Sequence, residues 1–149
     1  MTKSPQPMST IPEHLLSAYR STQYRVFSAP PFVLRVDEPS EGLGKLYHSN
    51  GVISAAFITA WNPMSIEASA AANIEANKAL LEDIEEMQLI AIPGFGAWPQ
   101  DPNKGEESFL VLGIDLQAAT NLATRFQQVA FLFMGVDSVP RLILTSASQ

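Results

Sequence analysis

The chain has 149 residues, of which 46% are hydrophobic and 16% charged, enough for one compact domain with a single sizeable core and too few for two. A formal net charge of −6, with nine Lys and Arg dispersed along the chain, argues against a duplex nucleic-acid partner. There is no cysteine, which excludes disulfides, thiolate nucleophiles and cysteine-ligated metal centres, and fits a cytoplasmic protein.

Residues 1–10 lack the apolar stretch of a signal peptide and read as a disordered lead-in; 146–149 read as a tail, leaving 11–145 for the domain. Ile11 to Thr22 predicts a first helix, with Thr10 as cap, Pro12 in the first turn and Leu15, Leu16 and Tyr19 at helical spacing. Gln23 to Phe27 and Phe32 to Val36 read as extended pieces around Ser28-Ala29-Pro30-Pro31, whose prolines mark an edge or a bulge. A short helix is expected over Leu43 to His48, closed by the turn signal Asn50-Gly51.

Val52 to Trp61 is a nearly continuous apolar run, the pattern of a central strand covered on both faces. Ile66 to Gln88 predicts a long helix and Leu89 to Ile92 a short strand. Pro93 to Glu106 reads as a loop, long enough to be either disordered or functional. Ser108 to Ile114 is a second buried strand, followed by Asp115 as an N-cap and a helix over Leu116 to Gln128. Val129 to Met134 and Val139 to Thr145 close the chain as two strands, with Pro140 placing the last at an edge. Strands that alternate with helices and also form hairpins indicate a single α+β domain: a mixed sheet of about five or six strands with about three or four helices packed on it. The apolar runs, such as Ala55 to Ala60, are far too short for a bilayer, so no membrane association is expected.

One segment breaks the pattern. The central strand ends in Thr59-Ala60-Trp61-Asn62-Pro63, polar where a buried strand should stay apolar. On a helical wheel of the following helix, Asn73 and Asn77 fall at about 0° and 40°, inside the stripe of Leu80, Leu81, Ile84 and Met87, while its acidic residues mostly face outward. Two inward amides must find partners. Either they tie down the irregular backbone of Ala60 to Ser65, or they join Thr59 and Asn62 in lining a pocket at the end of the central strand, where open sheets commonly receive ligands.

Familiar catalytic signatures are missing. His14 and His48 have no partner at a metal-ligand spacing, so no metal site is expected. No serine sits in a G-x-S-x-G turn, no P-loop is present, and Gly94-Phe95-Gly96 is followed by Pro99 rather than by a helix. Trp61 and Trp98 read as core and loop anchors, with ring stacking as the functional alternative. Arg125 points away from its helix's apolar stripe and reads as a surface residue, whereas Gln127 lies at the stripe's margin.

Tyr19-Arg20-x-Thr22-x-Tyr24, Ala55 to Asn62-Pro63-x-Ser65, Asn73 and Asn77, Gly94, Trp98-Pro99, Glu106-Glu107 to Ile114, and Arg125-Phe126-Gln127-Gln128 together resemble a bacterial family, domain of unknown function 3293. The resemblance runs from about Tyr19 to the last strands and implies no activity, cofactor or protein partner. It does favour a polar pocket, because its pattern rests on Thr59, Asn62, Asn73, Asn77, a glutamate and Gln127 as well as on core positions. Here the segment from Trp98 to Glu106 is longer than the family's compact form, which leaves both Glu106 and Glu107 as candidates for its acidic position. The expected function is a binding or regulatory module for a small polar molecule such as a nucleotide or metabolite. The alternatives are an enzyme with Glu106 or Glu107 as general base, and a scaffold for protein partners.

Overall fold

The computed structural model describes residues 11–145. The lead-in, the tail and the expected cap Thr10 lie outside the described residues. The chain runs α1 (Glu13–Ser21), β1 (Gln23–Val26), β2 (Phe32–Leu34), α2 (Glu41–Asn50), β3 (Ala55–Ile58), a 3₁₀ turn (Pro63–Ser65), α3 (Ala70–Glu86), β4 (Ile90–Trp98), β5 (Asp101–Leu112), α4 (Leu116–Arg125), β6 (Ala130–Met134) and β7 (Arg141–Leu144). The class is α+β in one domain.

Two features of the sheet differ from the sequence expectation. It has seven strands in the order β2-β1-β4-β5-β3-β6-β7, and every pair is antiparallel, so it is not mixed. The segment expected to be a loop is a third difference: residues 93–106 continue β4 and begin β5, forming a long hairpin that turns at Pro99-Gln100. Its Pro, Gly, Asn and Lys residues resemble loop composition, but β4 pairs with β1 along Gly94 to Ala97 and this tertiary pairing overrides local propensity.

The remaining elements follow their local signals. Asp115 caps α4 by accepting from the Ala118 N–H, and Ser40 and Ser69 cap α2 and α3 in the same way. Gly51 closes α2 in the left-handed conformation at φ 66°, as the Asn50-Gly51 signal predicts. β3 lies between β5 and β6 with all four residues buried, and its alternating side chains feed two cores. On one face Phe57 joins Leu110, Leu132 and Met134 beneath α2, through Leu43 and Tyr47. On the other, Ala56 and Ile58 meet Leu80 and Ile84 of α3 and Ala119 and Leu122 of α4. The strand is apolar throughout because neither face meets water.

The α2 face is not evenly filled. Register places Tyr24, Gly96 and Glu106 in one row across β1, β4 and β5, and Val26, Gly94 and Ser108 in the next. The third row is wholly apolar: Ile92, Leu110, Phe57, Leu132 and Leu142. The Phe57 ring leans over Gly94 and meets the Tyr24 ring edge-on, centroids 5.4 Å apart. A Cβ at Gly94 would lie 2.8 Å from Phe57 Cε2 and 2.6 Å from the Arg25 carbonyl, so only glycine permits this ring position. Gly94→Ala is therefore expected to destabilise by about 1–3 kcal/mol through forced displacement of ring and backbone; chemical denaturation would measure it, and a neutral result would contradict the close approach.

Candidate functional site

β3 ends at Ile58, paired with Phe109, while β5 extends back to Asp101, so the first half of β5 runs on without a β3 neighbour. Residues 59–69 fill that position as an irregular loop. Asn62, Met64 and Ser65 hold positive φ angles of 49°, 60° and 61°. Such left-handed conformations cost on the order of 1–3 kcal/mol each in non-glycine residues and persist only where surrounding structure compels them.

The compulsion comes from α3. Asn73 and Asn77, one turn apart, are both buried, as the helical wheel predicts. Asn77 accepts from the Ala60 N–H at 2.8 Å and donates to the Glu107 carbonyl at 2.8 Å, joining loop, helix and β5. Asn73 accepts from the Asn62 N–H at 2.7 Å and donates to the Asn62 side-chain oxygen at 2.9 Å. That oxygen also accepts from the Ala68 N–H at 3.0 Å. The Thr59 hydroxyl donates to the Glu107 carbonyl and accepts from the Trp61 N–H at 3.0 Å. From the turn between α4 and β6, buried Gln128 donates to the Trp61 carbonyl at 3.2 Å, and the Gln127 carbonyl accepts from the Met64 N–H at 2.7 Å. The loop's backbone groups are thus met by side chains where a strand partner is missing.

Facing this framework is a cavity of about 410 Å³, within the range of small-molecule pockets. Its floor is the sheet row Tyr24, Gly96 and Glu106 with Ser108 and Phe57; α1 forms one wall through Leu15, Ala18 and Tyr19. Thr59 and Asn62 border it from the loop, and Trp98 from the end of β4. The Tyr24 hydroxyl donates to the Tyr19 carbonyl at 2.6 Å, and the Tyr19 hydroxyl lies 2.8 Å from Ser65 Oγ, linking α1 to both sheet and loop.

Among the residues singled out from sequence, Thr59, Asn62 and Glu106 converge on this cavity, and Trp98, read as an anchor with ring stacking as the alternative, borders it. The others do not. Asn73 and Asn77 spend their amides on the loop and on β5, so the structural alternative describes them, and they are one layer behind the cavity wall. Glu107 alternates to the opposite side of β5 and is exposed, which leaves Glu106 as the carboxylate in the pocket. Gln127 is exposed, because α4 ends at Arg125 and Gln127 itself turns the chain at φ 59°; beyond that point a helical wheel no longer tracks direction. Its neighbour Gln128 is the residue that reaches the cavity. Arg125 is a surface residue, paired with Asp83 at 3.2 Å.

Residues missed by sequence reasoning are Tyr19, Tyr24, Gly96, Ser108 and Gln128. The tyrosines and Gln128 stood within the quoted family pattern, but with no polar role attached. For Gly96, the available signal was two glycines spaced by one residue, Gly94 and Gly96, which in a strand bare the same face.

Glu106 receives one hydrogen bond, long at 3.4 Å, from Asn62 Nδ2. Burial beside Tyr24 and the sheet pushes its carboxyl up to about 7, against the smaller opposing effect of the Asn62 bond. Burial likewise raises Tyr19 and Tyr24, which stay neutral. Among the described residues, no group of three or more His, Asp or Glu side chains is arranged to hold a metal ion, and no helix is long and apolar enough to cross a membrane.

Two outcomes follow. Asn77→Leu strands the buried Ala60 N–H and leaves the Glu107 carbonyl with Thr59 as its one side-chain donor, so a thermal or chemical melt should show a loss of about 1–3 kcal/mol; a neutral or stabilised variant would remove Asn77 from the framework. For Glu106, a raised folded-state value means that between about 4.5 and 7 the folded protein retains a proton the unfolded chain has released, so stability falls as pH rises across that interval. The melting-temperature advantage of Glu106→Gln over wild type should therefore widen from acid to neutral pH and level off above about 7; a constant difference would mean an ordinary carboxyl.

The model of a family described as Protein of unknown function (DUF3293) matches residues 58–131, from the end of β3 into β6. That range contains the loop framework, Glu106 and Gln128, but not α1 or β1, although the sequence resemblance begins near Tyr19. No curated protein and no solved structure matches the chain. The chain belongs to the DUF3293 family.

Proposed function

We propose that this protein is a cytoplasmic binding or regulatory module for a small molecule, and that the ligand sits in the cavity between α1, the 59–69 loop and the β1-β4-β5 face. The observation that carries this reading is the pairing of Gly96 with Glu106 on the cavity floor. A strand position without a side chain opens space directly beside a carboxylate that has one long internal hydrogen bond. A purely structural sheet face would gain stability from filling that space, since apolar burial contributes roughly 25 cal/mol per Å². The loop above it is irregular backbone held by a dedicated set of side chains, a pattern that gathers at ligand sites. The lack of cysteine fits a reducing compartment.

A second reading, an enzyme with Glu106 as general base, has one observation in its favour: a carboxyl raised to about 7 is suited to proton transfer near neutrality. Under that reading, turnover of a bound compound would rise with pH through about 7 and disappear in Glu106→Gln.

Gly96→Val tests the binding reading. A Cβ at Gly96 meets its nearest neighbour, Thr22 Cγ2, at an ordinary 3.7 Å, so the variant should fold while its extra methyls occupy the cavity. In a thermal-shift screen of metabolites, compounds that raise the wild-type midpoint should leave the Gly96→Val midpoint unmoved. Compounds that shift both equally would place binding elsewhere.

A further inference from the structure

The hydrogen-bonding inventory of the cavity narrows its ligand class; this inference rests on the binding reading above. Among the described residues, no lysine, arginine or histidine lines the cavity, while two glutamates, Glu67 and Glu106, do. More telling is where the polar hydrogens go. Thr22 Oγ1 donates to the Ala18 carbonyl at 2.7 Å, the Tyr24 hydroxyl to the Tyr19 carbonyl, and Ser108 Oγ to the Glu106 carbonyl at 3.0 Å. The Thr59 hydroxyl donates to the Glu107 carbonyl, and Gln128 Nε2 to the carbonyls of Trp61 and Phe126 at 3.2 and 3.3 Å. Each of these lining groups has spent its hydrogens on backbone.

A hydroxyl has one hydrogen and two lone pairs, so once that hydrogen is used, only acceptor capacity is left for the cavity. Glu106, once ionised, adds more, since its one partner is the long Asn62 contact. Donors not directed at backbone are few: the Asn62 amide, which points at Glu106, one hydroxyl hydrogen of the Tyr19 and Ser65 pair, and the side chains of Trp98 and Gln100 at the hairpin end. Phosphate and carboxylate groups need several converging donors and a compensating positive charge to leave water. The cavity provides an acidic, acceptor-rich floor and the rings of Tyr19, Tyr24, Phe57 and Trp98, surfaces that attract cations through their π faces.

We propose that the pocket selects a molecule bringing its own donors and positive charge, a protonated amine or amidine on an aromatic or apolar body, and rejects phosphorylated and carboxylated compounds. The nucleotide considered from sequence is thereby disfavoured in favour of a cationic nitrogen compound. Its charged nitrogen would donate to Glu106, and its apolar body would lie along Phe57 and Tyr24 over the hollow left by Gly96.

Titration calorimetry with matched probes tests this: phenethylamine and benzamidine against phenylacetate, benzoate and adenosine monophosphate, on wild type, Glu106→Gln and Gly96→Val. Expected is binding of the two cations only, weakened about tenfold or more in Glu106→Gln, where a charge-assisted hydrogen bond becomes a neutral one, and lost in Gly96→Val. If the anions bind wild type and that binding is lost in Gly96→Val, the ligand class is overturned while the pocket stands. If no probe binds, or binding persists undiminished in Gly96→Val, both the ligand class and the binding reading fall. Circular dichroism of each variant confirms the fold, so a loss of binding is read from folded protein.

Discussion

A strand that ends early sets the terms for the rest of this structure. β3 stops at Ile58 while its neighbour β5 runs further, and the backbone that should have paired there must be satisfied by something else. Three asparagines do it. Asn77 holds Ala60 to Glu107, Asn73 holds Asn62, and Asn62 holds Ala68. An asparagine side chain is an amide, so it presents a donor and an acceptor in the same geometry as a peptide group and can replace a missing strand partner. The irregular loop is therefore fixed in space, and with it one border of the cavity.

The opposite border depends on α1, which is joined to the sheet by the Tyr24 hydroxyl and to the loop by the Tyr19 and Ser65 pair. Between the two borders, glycines at alternate positions of β4 determine how deep the sheet face lies. Gly94 allows the Phe57 ring to lie close against the backbone, and Gly96 leaves the space beside Glu106 open. The carboxyl is consequently flanked by rings and strand backbone with little water around it, the condition that raises its affinity for a proton. Cavity, carboxyl and framework are coupled, because shifting the loop would move Asn62 off Glu106.

Much of the α+β class was legible from local signals: the cap Asp115, the Asn50-Gly51 turn that closes α2, the buried run of β3, and the edge position of the last strand marked by Pro140. The inward turn of Asn73 and Asn77 was legible as well, since helical periodicity alone orients them. The β4-β5 hairpin was hidden, because its polar and glycine-rich stretch has weak intrinsic strand preference and is held by pairing with β1, some seventy residues away in sequence. Gln127 was misdirected for a related reason: no glycine or asparagine marks the end of α4, and Gln127 takes the left-handed position itself.

The sequence by itself determined which residues are polar inside an apolar pattern, because periodicity and composition act over one or two turns of chain. It could not determine what those residues touch. That Asn77 reaches Glu107, that Glu106 and not Glu107 faces inward, and that Tyr24, Gly96 and Glu106 share one row were decided by the register of strands far apart in the chain. A shift of one residue in that register would exchange every inward for every outward side chain, so the site exists only once the long-range pairings have formed.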